Sequence, residues 1–127
     1  MEVKHMNSPA GRKRNKAEST MYKRVLSYLS LAAYMQASSA LKSGDQEKAG
    51  YFIRIYALVD PTNAEAPYLE AGWFAKQGKG EEAMKSLSKA VDLGFTDLKR
   101  FESDPAFKRY QGRQDYKTIL SRMRIKK

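Results

Sequence analysis

Residue types that support catalysis are scarce in this chain of 127 residues. It has one histidine, His5, and no cysteine, so neither a Ser–His nor a Cys–His nucleophile can be assembled from it. No cluster of histidine, cysteine and carboxylate residues has metal-ligand spacing. Gly78-Lys79-Gly80 lacks the remaining residues of a phosphate-binding loop. We therefore expect a protein that is not an enzyme, with no catalytic residue, no cofactor and no metal.

Basic side chains at the two ends of the chain suggest a different function, because they could neutralise phosphate groups. Of the net charge of +10, residues 1–30 contribute +5, residues 31–97 contribute −2 and residues 98–127 contribute +7. The candidate polyanion-binding residues are Arg12, Lys13, Arg14, Lys16, Arg122, Arg124, Lys126 and Lys127. No recognised nucleic-acid motif accompanies them, and an anionic membrane surface would attract the same charges. Binding of nucleic acid or of an anionic surface is therefore the alternative function.

The centre of the chain repeats itself at an offset of 34 residues, so that residues 30–63 align with residues 64–97. The matching pairs include Tyr34 and Tyr68, Ala37 and Ala71, Lys42 and Lys76, Gly44 and Gly78, and Ala49 and Ala83. A period of about this length with a glycine near its middle is typical of a helix–turn–helix unit. Such units bury their apolar faces by stacking, and the stack forms a surface that holds another molecule. The period therefore favours a binding module.

Apolar spacing and turn residues predict the helices that carry this repeat. Four helices are expected, over residues 19–43, 46–59, 64–77 and 80–93. The apolar stripe of the first begins at Tyr22 and continues through Val25 and Leu29, which makes this helix longer than one repeat needs. Thr62 and Glu65 have the spacing of a capping box for the third helix.

The two ends of the chain have different characters. Residues 1–17 contain few apolar side chains and no period, which predicts a disordered basic arm. Residues 18–127 are expected to form one all-α domain. Its tail, residues 98–125, is predicted to form short helices with apolar stripes. One stripe begins after Gly112 and consists of Tyr116, Ile119, Leu120 and Met123. Because a terminal unit must cover an exposed apolar edge, this tail is predicted to be a helical cap.

The two repeats resemble tetratricopeptide (TPR) repeats. The second is closer to the family pattern, through Ala71, Phe74, Gly78, Lys79, Ala83, Leu87 and Ala90. The first keeps Ala37, Gly44, Ala49, Ile53 and the closing Asp60-Pro61. The resemblance implies a right-handed α-α superhelix of helical hairpins, acting as a non-catalytic adaptor or scaffold. Its partner would be a peptide or protein segment bound on the concave face.

The same resemblance implies which residues would contact that segment, because the first helix of each TPR repeat lines the concave face. The matching positions are Tyr34, Ser38, Leu41, Lys42, Tyr68, Gly72, Ala75 and Lys76. Flat amphipathic rings beside positive charge would suit an extended peptide that carries an acidic group. The opposing interpretation is that both tyrosines pack between helices and that both lysines are only solvated. Trp73, the one tryptophan, is expected in the core.

The sequence constrains the class of partner and the cellular compartment less than it constrains the fold. No segment approaches the roughly 18 consecutive apolar residues of a membrane span, so the chain is expected not to be transmembrane. The compartment stays unknown: the chain as given favours the cytoplasm, and export stays open if a signal was removed. A homodimer or a place in a larger assembly is a third interpretation, because an uncovered apolar face on the first helix would seek a partner.

Overall fold

The computed structural model describes residues 16–126, and their regular structure is entirely helical, as the predicted all-α class requires. The helices are α1 (Lys16–Ser43), α2 (Gln46–Val59), α3 (Glu65–Lys76), α4 (Gly80–Asp92), α5 (Leu98–Ser103), a 3₁₀ helix (Pro105–Tyr110) and α6 (Gln114–Lys126). Most of the predicted disordered arm lies outside the described residues. For Lys16 and Ala17 that prediction is wrong, since they form the start of α1.

The offset of 34 residues recurs in the backbone. Gly44 and Gly78 both adopt left-handed conformations, with φ of 83° and 80°, which glycine reaches without a Cβ penalty. After each glycine the next N–H bonds back to the preceding helix, from Asp45 to the carbonyl of Ala40 and 34 residues later from Lys79 to the carbonyl of Phe74, both at 3.0 Å. The two helix–turn–helix units therefore turn in the same way.

Each unit is a pair of packed helices, α1 with α2 and α3 with α4, and α2 also packs on α3. Small residues at equivalent positions let the helices approach closely. Ala37 and Ala71 are both fully buried, as are Ala49 and Ala83. The predicted equivalence of these alanines is confirmed.

The C-terminal segment covers the second helix pair. Phe101, Phe107, Tyr116 and Met123 are buried in one cluster with α3 and α4 residues such as Leu87. Two of these rings also contact each other, with the centroids of Phe101 and Phe107 5.4 Å apart. In this way the tail supplies burial that a third repeat would otherwise provide.

The first helix extends beyond its partner. The hydroxyl of Ser30 donates to Asp60 Oδ2 at 3.1 Å, which marks where the C-terminal end of α2 meets α1. No residue of α1 before Ala33 is buried. The prediction of an inward stripe from Tyr22 is therefore wrong for the first turns, because α2 does not reach them. Val25 is 51% exposed.

The predicted capping box at the start of α3 is also wrong. The backbone N–H of Glu65 donates to the side chain of Asn63 at 2.9 Å, and no side chain caps the helix from Ala64. Asn63 can do this because it also donates to Asp60 Oδ2 at 2.9 Å, which fixes its amide. The carboxylate of Glu65 is engaged elsewhere, by Arg100.

Candidate peptide-binding groove

A groove of about 750 Å³ lies between α1, α3, α5 and the start of the 3₁₀ helix. Seven of the eight residues predicted from the TPR resemblance line it. They are Tyr34, Ser38, Leu41, Lys42, Tyr68, Gly72 and Lys76. The eighth, Ala75, is 1% exposed and lies in the core, so its placement on an exposed row is wrong. Side chains of α1 and α3 form its walls, and small residues such as Ser38 and Gly72 leave space between them.

Tyr68 forms part of the wall of the groove and is not freely exposed. Only 2% of it is accessible, its hydroxyl donates to Asp104 Oδ2 at 2.6 Å, and its ring stacks on Phe95 with centroids 4.3 Å apart. Burial and the hydrogen bond to Asp104 raise the pKa of Tyr68 well above its ordinary value. For this residue the opposing interpretation, packing between helices, is correct. Its hydroxyl is already satisfied within the protein.

Tyr34 keeps an accessible surface. It is half-buried, with its ring edge-on to Tyr56 at a centroid distance of 5.8 Å. Met35, 58% exposed, adds apolar surface to the same groove. Tyr34 also lines a second groove of about 750 Å³, between α1, the end of α2 and the start of α3. An extended ligand that crosses Tyr34 would therefore contact both grooves.

The two predicted lysines lie at one end of the groove and differ in their contacts. Lys76 Nζ donates to the backbone carbonyl of Leu41 at 2.8 Å, so it satisfies the last turn of α1 and ties α1 to α3. Lys42 is exposed and makes no hydrogen bond or ion pair with the described residues. Lys42 is thus the cation best able to meet an incoming acidic group.

At the other end of the groove the charges neutralise each other. The guanidinium of Arg100 donates to both carboxylate oxygens of Glu65, at 2.8 and 2.5 Å, and lies over the Tyr68 ring at 4.5 Å. The hydrogen bonds from Arg100 to Glu65 raise the pKa of the guanidinium further above its ordinary value. Arg100 and Asp104 line the groove but were not predicted from the sequence. The spacing within the repeats could not have identified them, because they belong to the tail, and the sequence did not predict which tail side chains reach α3.

Gly72 leaves the groove open at its centre. A Cβ added to Gly72 would have no heavy atom within 4 Å. The backbone there is helical, so other residues could occupy the position without backbone strain. The missing side chain therefore contributes space for a ligand and is not required by packing.

The candidate polyanion-binding residues are only partly described. Arg12, Lys13, Arg14, Lys127 and the side chain of Lys126 lie outside the described part of the chain, and Lys16 is exposed at the start of α1. Arg122 donates to Ser88 at 2.7 Å and also pairs with Asp92. Arg124 lies 3.4 Å from Glu102. These two arginines have intramolecular acidic partners, which reduces the charge that they offer to a polyanion.

Among residues 16–126, no group of three or more histidine or carboxylate residues could hold a metal ion. No helix within that range is long and apolar enough to cross a membrane. Comparisons of the chain with protein-family models, with curated proteins and with solved structures found no match.

Proposed function

We propose that this chain is a TPR-like, non-catalytic adaptor or scaffold that binds a peptide or protein segment in the groove between α1 and α3. The observation that carries the proposal is that residues from equivalent repeat positions line a single groove. The matching turns at Gly44 and Gly78 support a TPR-like stack. In such a stack the groove lies on the face formed by the first helix of each repeat.

The chemistry of the groove favours an extended segment with an acidic side chain next to an apolar or aromatic one. Lys42 would meet the acidic group, and the accessible part of the Tyr34 ring would contact the apolar group. An aromatic ring offers flat apolar surface, while a single exposed lysine supplies charge without burial of an unpaired ion. Arg100 contributes little free charge, because Glu65 already neutralises it.

Selection from a phage-displayed random peptide library tests this proposal directly. Wild-type protein is the bait, and Gly72→Trp is the counter-selection bait, since its indole would fill the groove without meeting protein atoms near the Cβ. We expect enriched peptides that combine an acidic with an apolar residue and that lose binding to Gly72→Trp. Lys42→Glu should weaken the same peptides about tenfold or more, as reversal of one partly exposed charge contact of about 1.4 kcal/mol implies.

The matched control is Lys117→Glu, which makes the same charge change on the exposed surface of α6. It should leave peptide affinity within about twofold of wild type. Circular dichroism would establish that each variant is folded. Peptides that bind wild type and Gly72→Trp equally well would contradict the proposed groove, and so would failure to enrich any peptide.

A further inference from the structure

The N-terminal half of α1 presents apolar side chains to solvent. Met21 is 67% exposed, Val25 51%, Tyr28 70%, Leu31 56% and Met35 58%. Successive steps of three or four residues place these five side chains on one side of the helix. We name this surface the α1 apolar face. Exposed apolar patches of this kind mark interaction sites on folded proteins.

The α1 apolar face belongs to a helical segment that has little other support. Residues 16–32 contribute no buried side chain, and the contact of Ser30 with Asp60 marks where α2 ends beside α1. Isolated helices of this length are marginal in water, because most helical stability in proteins comes from packing of an apolar side. The segment therefore has the character of a helix that is stabilised by a partner.

We infer that a second copy of this chain covers the α1 apolar face, with the two α1 helices antiparallel and crossing at Tyr28. The face is complementary to itself about that residue. In the antiparallel arrangement Tyr28 meets its own copy, Val25 meets Leu31 of the other copy, and Met21 meets Met35. Each pair joins an apolar side chain to another of similar size, so the contact closes as an isologous dimer.

The charges of α1 favour the antiparallel orientation. Arg24 lies on the same side of the helix as the α1 apolar face, and parallel pairing would bring it close to its own copy. Antiparallel pairing about Tyr28 places Arg24 opposite Ala32 and separates the basic side chains. Like charges in close apposition would cost free energy, and the antiparallel arrangement avoids that cost.

The available area suits a reversible dimer. With side chains of roughly 150–200 Å² each, the exposed parts of the five residues and of Leu29 amount to about 600 Å² per copy, whereas a standard interface buries about 800 Å² per partner. Leu29 is 43% exposed and adjoins the face. The contact is therefore near the lower end of specific interfaces, and dissociation on dilution is expected.

Analytical ultracentrifugation over a range of concentrations tests the association. Wild type should shift from monomer to dimer as concentration rises, and Tyr28→Glu should stay monomeric at every concentration because it would bury two facing carboxylates. Leu58→Glu is the matched control, since Leu58 is 80% exposed on α2, and it should behave as wild type. A wild type that stays monomeric at all concentrations would overturn the inference, as would dimerisation of Tyr28→Glu equal to wild type.

Disulfide trapping tests the orientation, and it uses the absence of cysteine from the chain. On oxidation, Tyr28→Cys should form a covalent dimer, because a disulfide requires Cα atoms about 4.4–6.8 Å apart. Met21→Cys and Met35→Cys should crosslink with each other in a mixture and not with themselves. Self-crosslinking of Met21→Cys would indicate a parallel pair and overturn the proposed arrangement.

Binding to vesicles that contain phosphatidylserine provides the remaining comparison. A wild type that binds these vesicles but stays monomeric in solution would assign the α1 apolar face to a membrane surface and overturn the dimer.

Discussion

The indole ring of Trp73 lies so close to Gly50 that a Cβ atom at residue 50 would be 2.6 Å from Trp73 Cζ2. The indole N–H donates to the backbone carbonyl of Gln46 at 2.8 Å. These contacts join α3, in the second repeat, to α2, in the first. Trp73 is partly buried against the core of the first helix pair, so it contributes to the packing between the two repeats.

This relationship predicts opposite effects for two glycine substitutions. In a helix, replacement of glycine by alanine is normally stabilising by about 0.5–1 kcal/mol. Gly72→Ala should follow that rule, because its new Cβ has free space. Gly50→Ala should instead lower the free energy of unfolding by about 1 kcal/mol, because the added methyl displaces the ring, an overpacking effect that typically costs about 1–3 kcal/mol. Urea denaturation followed by circular dichroism measures both, and equal stabilisation by the two alanines would contradict the close approach.

The hydroxyls of Tyr34 and Tyr68 should also differ, although the two tyrosines are equivalent in the repeat. Tyr68→Phe removes a hydrogen bond to the Asp104 carboxylate and should cost about 1.5–3 kcal/mol, the range for hydrogen bonds to charged groups. Tyr34→Phe should change stability by no more than about 0.5 kcal/mol, because its hydroxyl has no hydrogen bond to the described residues. Thermal and urea unfolding of both variants provide the comparison. Equal costs would show that the two tyrosines have similar surroundings.

Alkaline pH should weaken the fold through Tyr56. Burial, with the negative charges of Glu65 and Asp60, raises the pKa of Tyr56 from 10.0 to about 12. A raised pKa in the folded state means that this contribution to stability is fully present below pH 10 and is lost as the pH rises from about 10 to about 12. In that window the unfolded chain has released the proton and the folded chain retains it, so the free energy of unfolding falls by about 1.4 kcal/mol per pH unit.

The measurement is urea denaturation of wild type and Tyr56→Phe at several pH values. Between pH 10 and pH 12 the variant should show a smaller fall in stability than wild type, by about the contribution of one tyrosine. Below pH 10 the difference between the two proteins should stay constant. Parallel curves throughout the alkaline window would refute the assignment of a raised pKa to Tyr56.

The ion pair between Arg100 and Glu65 should contribute more than the exposed pair between Arg113 and Asp115. The first is bidentate, and the Glu65 side chain is 20% exposed. The second links residues two apart, with side chains 43% and 41% exposed. Double-mutant cycles with alanine should give a coupling of about 1 kcal/mol for the first pair and close to zero for the second. High salt should reduce the first coupling only in part, and equal couplings would contradict the prediction.

The sequence predicted local structure well where a residue type acts on its own neighbourhood. The glycines at the end of α1 and of α3 predicted both turns, because left-handed backbone favours glycine wherever it occurs. The bounds of α2, Gln46–Val59, match the expected range. The stripe of Tyr116, Ile119 and Met123 in α6 is buried as expected, because helical spacing alone determines which side chains share a face.

The misplaced residues depend on parts of the chain far away in sequence. Tyr68 is buried because Phe95, at the end of the second repeat, and Asp104, from the tail, both contact it. The spacing of apolar residues within a helix encodes neither contact. Val25 is exposed because α2 ends too early to reach it. Asn63 replaced Thr62 as the capping residue because its amide is held by Asp60. Spacing predicts which face a side chain occupies, but only the path of the rest of the chain decides what covers that face.

The C-terminal cap limits how far copies of this protein can assemble. Phe101, Phe107 and Met123 cover the second helix pair, so the apolar core at that end is closed within the subunit. Growth of a fibre requires two different complementary ends on each subunit. A subunit with one capped end and one self-complementary face forms a pair and then stops, so association through α1 would yield a particle of fixed size that displays two grooves.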